Sequence, residues 1–359
     1  MGMLIFSIWN RSLIWYHIEK IIVRKAGKLM NINEIAKLAE VSRATVSRYL
    51  NNGYVSEEKK DRIRRVIEET GYRPSSSAQT LRSKKTNFIG VIIPKINSDS
   101  ISRMVSGISS TLAEAGYQML LACTHNNEKE ELKFLNLFKE NHVDGIILLG
   151  TIFTAEHRRA LKSLSVPIVI LSQYLNGYSC VYSDDYRAAY DLTSYLAATG
   201  TNVGYLSVTE KDEAVGKERL RGVRDALKNH HQELPDERIR ECMFDMESGS
   251  AQAEALLKAE PDIDTMVCAT DTIAVGALQF LKSVGKRIPE DIQIAGIGDS
   301  SLSRVTEPSL TTVHLYYEEA GTEAARLLFD LIQNGEAAIQ KEVKLDCRLI
   351  VQGSTRAGV

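Results

Sequence analysis

The sequence predicts a small all-α domain followed by a larger α/β domain that is divided into two lobes. Residues 31–72 carry three short amphipathic helical patterns, and from residue 88 onward apolar strand segments alternate with amphipathic helices. Near-continuous apolar strands between helices are typical of parallel sheets that are covered on both faces. About 270 residues of this alternation exceed one comfortable sheet, so two lobes are expected.

Residues 1–29 fit neither domain. They are rich in Ile, Leu and Trp, but charged residues such as Arg11 and Glu19 interrupt every apolar run. No run therefore approaches the ~20 residues of a membrane span, and no secretion-signal pattern is present. Met30 directly precedes the first patterned segment. We expect residues 1–29 to be a non-native or disordered extension of a cytoplasmic protein that has no membrane partner.

Each helix of residues 30–73 is marked by an apolar stripe and by residues suited to its ends. The stripes are Ile35, Leu38 and Ala39, then Val46, Tyr49 and Leu50, then Ile63, Val66 and Ile67. Ser42 and Ser56 stand where N-caps belong, and Gly71 stands at the usual stop position. Three helices in about 40 residues make a small bundle with little core of its own.

The first two helices meet at a tight turn formed by residues 40–42. On the second helix five residues share the face opposite Val46 and Leu50, namely Arg43, Ala44, Ser47, Arg48 and Asn51. Arginine and small polar groups on an outward face suit the major groove of DNA, where arginine bonds guanine edges. Ser42, Thr45 and Ser47 suit phosphate contacts. With Asn31 ahead of the first helix, they make up the predicted DNA-binding surface.

The charge distribution supports an anionic partner for the first part of the chain only. Residues 30–85 hold 12 basic against 7 acidic residues, and residues 1–29 hold 5 against 1. Because the whole chain carries a net charge of −2, the remainder carries −11. A small basic module joined to a large acidic one is typical of proteins that bind nucleic acid through the basic part.

Residues 35–51, I-A-K-L-A-E-V-S-R-A-T-V-S-R-Y-L-N, resemble the signature of the lactose-repressor family. That signature reads roughly I-A-x-x-A-G-V-S-x-x-T-V-S-R-x-L-N, and only the turn glycine departs from it, as Glu40. The resemblance covers residues 30 to about 355. It implies a homodimeric repressor that binds a pseudo-palindromic operator in double-stranded DNA and controls a carbohydrate-utilisation operon. The implied effector is a small sugar or sugar phosphate of the sucrose or trehalose type. In its overall residue pattern the chain is similar to sucrose and trehalose operon repressors.

The linker, residues 74–87, also matches the family pattern. Pro74, Ala78 and Leu81 match a segment that, in the family, becomes a short hinge helix on operator DNA. The resemblance implies that Ala78 and Leu81 contact DNA and that Leu81 wedges into the minor groove. A merely flexible tether is the alternative.

For residues 88–359 the resemblance implies a ligand-binding and dimerisation domain shaped like a periplasmic sugar-binding protein. The positions that match the family's effector site are Ser172, Tyr182, Arg219, Phe244, Thr270, Asp271 and Asp299. Arg219 precedes Gly222 by three residues, and its guanidinium suits vicinal sugar hydroxyls or a phosphate. Asp299 neighbours Gly298, which stands where the family often has an acidic ligand. A surface salt bridge for Arg219 and a packing role for Phe244 are the alternatives.

Enzymatic and cofactor functions lack their motifs. No G-x-S-x-G, P-loop, H-E-x-x-H or G-x-G-x-x-G motif is placed for catalysis or nucleotide binding, and the histidines lack metal-ligand spacing. Five scattered cysteines without a C-x-x-C pair indicate neither a zinc site nor a disulfide framework. A transport protein would share the α/β domain but would need an export signal. A family member that responds to a non-sugar ligand such as a nucleobase is the closer alternative to a sugar-controlled repressor.

Overall fold

The computed structural model describes residues 30–72 and 85–356, which fall into two compact units that divide after Lys85. The predicted extension at residues 1–29 lies outside the described residues, and so do Ala78 and Leu81 of the predicted hinge. Within the described ranges, none of the helices is long and apolar enough to cross a membrane.

The first unit contains three helices, as the apolar stripes predicted. They are α1 (Ile32–Leu38), α2 (Arg43–Leu50) and α3 (Glu57–Thr70). Ile35, Val46 and Ile63 contribute one fully buried side chain from each helix. This small core, about one large residue per helix, leaves much of the stability of the unit to its helix caps and turns.

The ends of these helices follow the predicted signals with one exception. Ser42 accepts a hydrogen bond from the Thr45 amide at 3.2 Å and so caps α2. Gly71 ends α3 with a φ of 65°, a left-handed conformation that favours glycine. Ser56 occupies the N-cap position of α3, but its side chain makes no capping hydrogen bond.

The second unit begins with a lobe built on a six-stranded parallel sheet, in the order β11-β5-β4-β3-β1-β2. Its strands are β1 (Phe88–Ile93), β2 (Gln118–Cys123), β3 (Gly145–Leu149), β4 (Ile168–Leu171), β5 (Ser179–Ser183) and β11 (Glu342–Leu345). Its helices are α4 (Asp99–Glu114), α5 (Glu128–Glu140), α6 (Ala155–Lys162) and α12 (Tyr317–Asn334). Buried apolar clusters lie on both faces of the sheet, as expected for a parallel sheet covered by helices.

The second lobe is built on a four-stranded parallel sheet in the order β7-β6-β8-β9. Its strands are β6 (Val203–Ser207), β7 (Ile239–Glu241), β8 (Thr265–Cys268) and β9 (Gln293–Ala295), with an antiparallel pair β10 (Thr312–Leu315) and β12 (Cys347–Ile350) beside them. Its helices are α7 (Asp185–Ala197), α8 (Arg219–Asn229), α9 (Met246–Ala259), α10 (Asp271–Ser283) and α11 (Ser301–Val305). A π-helical turn, Glu213–Glu218, leads directly into α8.

The chain passes between the two lobes three times, at Asp184, Tyr316 and Asp346. The first and third crossings are bonded to each other, because the Asp184 amide donates to the Leu345 carbonyl at 2.9 Å. Arg187 adds an ion pair to Asp346 at 3.0 Å. Each lobe is therefore assembled from segments that are far apart in the sequence.

The sequence pattern predicts the apolar strands better than those that contain polar residues. The apolar runs Phe88–Ile93, Gly145–Leu149 and Ile168–Leu171 predict strands, and they form β1, β3 and β4 over their full length. The run Ile292–Ile297 also predicts a strand, but only Gln293–Ala295 forms one. The pattern did not predict β5, β7, β10 or β11. Three of these are four or more residues long but carry polar residues at half of their positions, so no continuous apolar run marks them.

A buried pair of ionisable side chains joins α5 to α6. Glu131 and His157 are 5% and 0% exposed, and the His157 Nε2 atom lies 3.3 Å from Glu131 Oε1. The Thr154 amide donates to His157 Nδ1, which leaves the ring proton on the nitrogen that faces the carboxyl group. Burial raises the pKa of Glu131 to about 7 and lowers the pKa of His157.

Candidate functional site

The predicted reading face, defined as Arg43, Ala44, Ser47, Arg48 and Asn51, lies on one side of α2. Arg43, Ala44, Arg48 and Asn51 are exposed and Ser47 is half-buried, whereas Val46 on the opposite side is fully buried. The structure therefore brings the five residues together as the helical spacing predicted. Exposed arginines on a short helix of 8 residues can reach base edges in a major groove.

Three other residues of the predicted DNA-binding surface have local roles in the helix ends. Asn31 forms a capping box with Glu34, in which its side chain accepts from the Glu34 amide and the Glu34 carboxylate accepts from the Asn31 amide. Ser42 caps α2, and its hydroxyl lies 2.9 Å from that of Thr45. These bonds fix the start of each helix, and contacts of Asn31, Ser42 and Thr45 with phosphate stay a prediction.

The turn between α1 and α2 shows what the departure from the family signature costs. Glu40, in the place of the turn glycine, has a φ of 52°. This left-handed conformation is free for glycine but costs about 1 kcal/mol or more for a residue with a Cβ. The side chain of Glu40 is 83% exposed and lies 3.7 Å from Arg62. Because solvent screens such an exposed ion pair, the contact does not offset the strain.

A cleft between the two lobes lies at the carboxyl ends of the parallel strands and encloses about 1160 Å³, part of it open to solvent. Six of the seven predicted effector residues line it, namely Ser172, Tyr182, Arg219, Phe244, Thr270 and Asp271. They come from both lobes, so a molecule held in the cleft contacts both.

Arg219 is the most constrained side chain in the cleft. It is 3% exposed, and its Nε and Nη2 atoms lie 2.7 and 2.6 Å from Asp185 Oδ1, while Nη1 donates to the Ala269 carbonyl. The π-helical turn Glu213–Glu218 ends immediately before it, and such wide turns often occur at functional sites. Burial raises the pKa of Asp185, and the facing guanidinium opposes that rise. The ion pair is buried, which excludes the surface salt bridge.

Thr270 and Asp271 form the start of α10 at the floor of the cleft. Thr270 caps the helix by accepting from the Ile273 amide at 3.3 Å. The Asp271 carboxylate accepts from the Ser300 amide at 2.7 Å and from the Thr312 hydroxyl at 2.5 Å. Asp271 is thus a structural tie between α10 and the neighbouring strands as well as a residue that lines the cleft.

Ser172 and Tyr182 enter the cleft from the first lobe. Ser172 follows β4 with a φ of 79°, and its hydroxyl donates to the Met104 sulfur at 3.3 Å. Tyr182 lies on β5 and donates its phenolic proton to the Glu342 carboxylate on the adjacent strand. Burial and this hydrogen bond raise the pKa of Tyr182, so its hydroxyl stays protonated at neutral pH.

Phe244, from the second lobe, is held by a lysine from the first lobe. Lys95 Nζ donates to the Phe244 carbonyl at 3.1 Å and lies 5.4 Å from the centre of its ring. Burial lowers the pKa of Lys95. The contact bridges the mouth of the cleft and fixes the aromatic ring that could stack on a ligand.

Asp299 does not line the cleft. Its carboxylate faces away from the cavity and binds His314 Nδ1 at 2.7 Å and Arg304 Nη2 at 3.1 Å. Gly298, beside it, does line the cleft, and with a φ of 142° it holds a backbone conformation that aspartate does not readily adopt. The prediction that Asp299 takes the place of the acidic residue that the family often has at position 298 was therefore wrong, because the Asp299 carboxylate does not line the cleft.

Two protein families match the chain. Residues 31–75 match bacterial regulatory proteins of the lacI family, and residues 86–352 match the periplasmic binding proteins and sugar-binding domain of the LacI family. The chain belongs to the LacI family. This membership confirms that it is a DNA-binding regulator, with a helical DNA-binding domain and a periplasmic-binding-protein-like domain, rather than an enzyme.

Similar proteins span almost the whole chain. The sucrose operon repressor of Staphylococcus xylosus is 33% identical over 89% of this chain and 98% of its own length. The ribose operon repressor of Halalkalibacterium halodurans is 30% identical over 92% and 98%. A structure of the transcriptional regulator CelR in complex with cellobiose is 28% identical, covers 90% of this chain and 99% of that chain, and has a TM-score of 0.70. The lac repressor dimer on operator, 21% identical, shares the fold with a TM-score of 0.83 over 92% and 100%.

Several residues that line the cleft were not predicted for this LacI-family chain. They include Lys95, Asp99, Gln173, Asp185, Asp212 and Tyr317. Most follow the end of a parallel strand by a few residues, and that position is the signal that could have found them. Gln173 Nε2 lies 3.3 Å from Asp212 Oδ1, so these two residues join the lobes across the cleft. Burial raises the pKa of Asp212 to about 6.

The chemistry of the cleft suits binding rather than reaction. Carboxylates, a guanidinium, hydroxyls and aromatic rings converge there, the set that commonly binds a polyhydroxyl ligand. Among residues 30–72 and 85–356, no group of three or more His, Cys, Asp or Glu side chains could hold a metal ion.

Proposed function

We propose that this protein is a cytoplasmic, homodimeric repressor of a carbohydrate-utilisation operon, and that a small sugar or sugar phosphate in the cleft controls its binding to a pseudo-palindromic operator. The observation that carries this proposal is the occurrence, in one LacI-family chain, of an exposed arginine-bearing face on α2 and a cleft lined by carboxylates, hydroxyls and aromatic rings. The face can read bases, and the cleft can bind a polyhydroxyl ligand.

The contacts across the cleft support control by a ligand. Lys95 reaches Phe244, Asp99 lies 3.4 Å from the Ser301 hydroxyl, and Gln173 reaches Asp212, so three separate polar contacts bridge the lobes. A ligand that adds or replaces such contacts binds one arrangement of the lobes better than another and shifts the population toward it. The three chain crossings are the segments that would absorb such a movement.

Relatives support a sugar as the ligand. The names of the sucrose and ribose operon repressors and of the CelR–cellobiose complex all point to carbohydrates. We propose a sugar of the sucrose or trehalose type as the effector. Residues 74–87 are proposed to form the hinge, with Leu81 inserted into the minor groove at the centre of the operator.

The test uses the full-length protein. Operator fragments are selected from genomic DNA, and binding of the selected fragment is then titrated with a panel of sugars and, as the alternative class, nucleobases. A sugar that changes operator affinity at least tenfold supports the proposal, and a nucleobase that does so in its place contradicts it. Light scattering at micromolar concentration should give a mass near twice 40.0 kDa, and a monomer or tetramer contradicts the dimer.

A further inference from the structure

Four of the helical segments that start at the cleft begin with an aspartate or are capped by one. Asp99, Asp185 and Asp271 are the first residues of α4, α7 and α10, and Asp212 caps the π-helical turn that leads into α8. All four line the cleft. The N-terminus of a helix carries a partial positive charge and unpaired amides, which make it a ready site for phosphate. In this protein each of these N-termini already carries a carboxylate.

Two of these carboxylates use the amides and hydroxyls around them. Asp212 Oδ1 accepts from the Val215 amide at 3.0 Å, within its own helical turn. Asp271 accepts from the Ser300 amide and the Thr312 hydroxyl. These three donors, which could otherwise bind an external anion, are therefore occupied by side chains of the protein.

The cations of the cleft are also engaged. Among the described residues that line it, Lys95 and Arg219 are the only basic side chains. Arg219 is bound to the Asp185 carboxylate and the Ala269 carbonyl, and Lys95 is bound to the carbonyl and ring of Phe244. Both cations therefore already bind groups of the protein itself.

The side chains that line the cleft carry four carboxylates against two cations. Arg103, beside the cleft, pairs with Asp99 at 3.6 Å, and the balance of formal charge stays negative when this third cation is counted. A phosphate monoester brings about −1.5 to −2 charges at pH 7. Two like unit charges about 6 Å apart, in a medium with an effective dielectric constant of ~20, weaken binding roughly a hundredfold. Hydroxyl groups, in contrast, can donate to the carboxylates and accept from the remaining N–H groups of Arg219.

We propose that the cleft selects an uncharged polyhydroxyl ligand and rejects the phosphate ester of the same sugar. This inference rests on the proposed function, in which the cleft binds a sugar. Arg219 alone suits both sugars and sugar phosphates. The charge of the cleft narrows the expected ligand to uncharged sugars.

The test compares matched pairs by calorimetry on the full-length protein at pH 8. The pairs are sucrose and sucrose 6-phosphate, trehalose and trehalose 6-phosphate, glucose and glucose 6-phosphate, and ribose and ribose 5-phosphate. We expect the best neutral sugar to bind at least a hundredfold more tightly than its ester. An ester that binds as well as its parent sugar overturns this inference and leaves the proposed function standing, whereas failure of every compound overturns both.

Charge-removing variants test the cause. Asp99→Asn, at a side chain that is 38% exposed, and Asp212→Asn should each narrow the preference for the neutral sugar about tenfold, because one negative charge is lost. Asp236→Asn, at an 86% exposed side chain away from the cleft, changes the net charge equally and should leave the preference unchanged. If all three variants change the preference equally, or if the first two leave it unchanged, the aspartates of the cleft are not the source of the preference for the neutral sugar.

Discussion

The two units of this protein differ in whether their charged side chains are exposed or buried. In residues 30–72 every ionisable side chain is exposed or half-buried, and the helices are held by local caps within three residues of their partners. In residues 85–356 seven Asp, Glu, His and Arg side chains are buried, and most of them bind partners from distant segments. They are Glu131, His157, Asp185, Asp212, Arg219, Asp271 and Asp299.

This difference follows from what each unit binds. Operator DNA is a large polyanion that approaches from outside, so the side chains that meet it must be exposed and free to form new contacts. A small ligand enclosed between two lobes requires side chains whose positions are fixed beforehand. We therefore expect substitutions of buried charges to affect stability strongly, and substitutions on the reading face to affect binding with little change in stability.

The largest effect is expected from Arg219→Ala. It leaves the buried Asp185 carboxylate without its partner, which should lower the free energy of unfolding by about 3–5 kcal/mol and abolish the response to the effector. Urea unfolding and effector titration measure the two effects. Arg221→Ala, at a 58% exposed arginine on the same helix, is the control and should cost less than about 1 kcal/mol. Equal losses in the two variants would contradict a special role for the buried pair.

Glu131→Gln should change how stability depends on pH. The pKa of Glu131 is raised from 4.5 to about 7 in the folded protein, so the folded chain retains a proton that the unfolded chain releases. The stability that this proton provides is complete below pH 4.5 and is lost as the pH rises to about 7. The variant, which cannot ionise, should therefore gain up to about 3 kcal/mol over wild type between pH 5 and pH 8.

Urea unfolding at several pH values measures this gain. The lowered pKa of His157 acts in the opposite sense, since stability from its neutral ring is lost as the pH falls. Comparison of the variant with wild type largely removes that contribution because both contain His157. Glu140→Gln, at an exposed position on the same helix, should show a constant difference from wild type. A constant difference for Glu131→Gln as well would mean that this carboxyl group is ionised in the folded protein throughout the range.

Arg48→Ala tests the exposed side of the comparison. It should weaken binding to the specific operator by about 1–3 kcal/mol per half-site and leave the unfolding free energy within about 0.5 kcal/mol of wild type. Fluorescence anisotropy with specific and scrambled DNA at matched salt separates lost sequence reading from lost charge. Arg65→Ala removes an exposed arginine from α3 and should affect both DNAs alike. Unchanged preference for the specific DNA in Arg48→Ala would remove this residue from the reading face.

The smallest effect is expected from Glu40→Gly. Removal of the Cβ relieves the left-handed strain at φ 52°, which should stabilise the first unit by about 0.5–1 kcal/mol after the added freedom of the unfolded chain is counted. Glu40→Ala keeps the Cβ and loses the contact with Arg62, so it should bring no gain. Thermal unfolding monitored by amide exchange in α1 and α2 compares the two variants. Equal stability of the two variants would mean that the left-handed backbone at residue 40 does not lower the stability of this unit.

The same difference between the units explains what the sequence could predict. The reading face depends on the spacing of residues within one helix, so Arg43 and Arg48 could be placed on it from periodicity alone. The cleft joins residues up to 226 positions apart, from Pro94 to Ala320, and no local sequence pattern indicates that they meet. Arg219 was found through resemblance, while its partner Asp185 and the Lys95–Phe244 contact were not, because these depend on how two sheets face each other. The prediction for Asp299 was wrong because the side chains of neighbouring residues in a loop can point in opposite directions.

The three crossings between the lobes also set the order in which the protein can become functional during synthesis. Strands β11 and β12 leave the ribosome after β1 to β10, and each completes a different lobe. Residues 30–72 hold all three helices and the buried core of the first unit, so this unit can fold while the sensing domain is still open. A nonsense mutation anywhere between residues 86 and 341 therefore releases a reading face without a finished sensor.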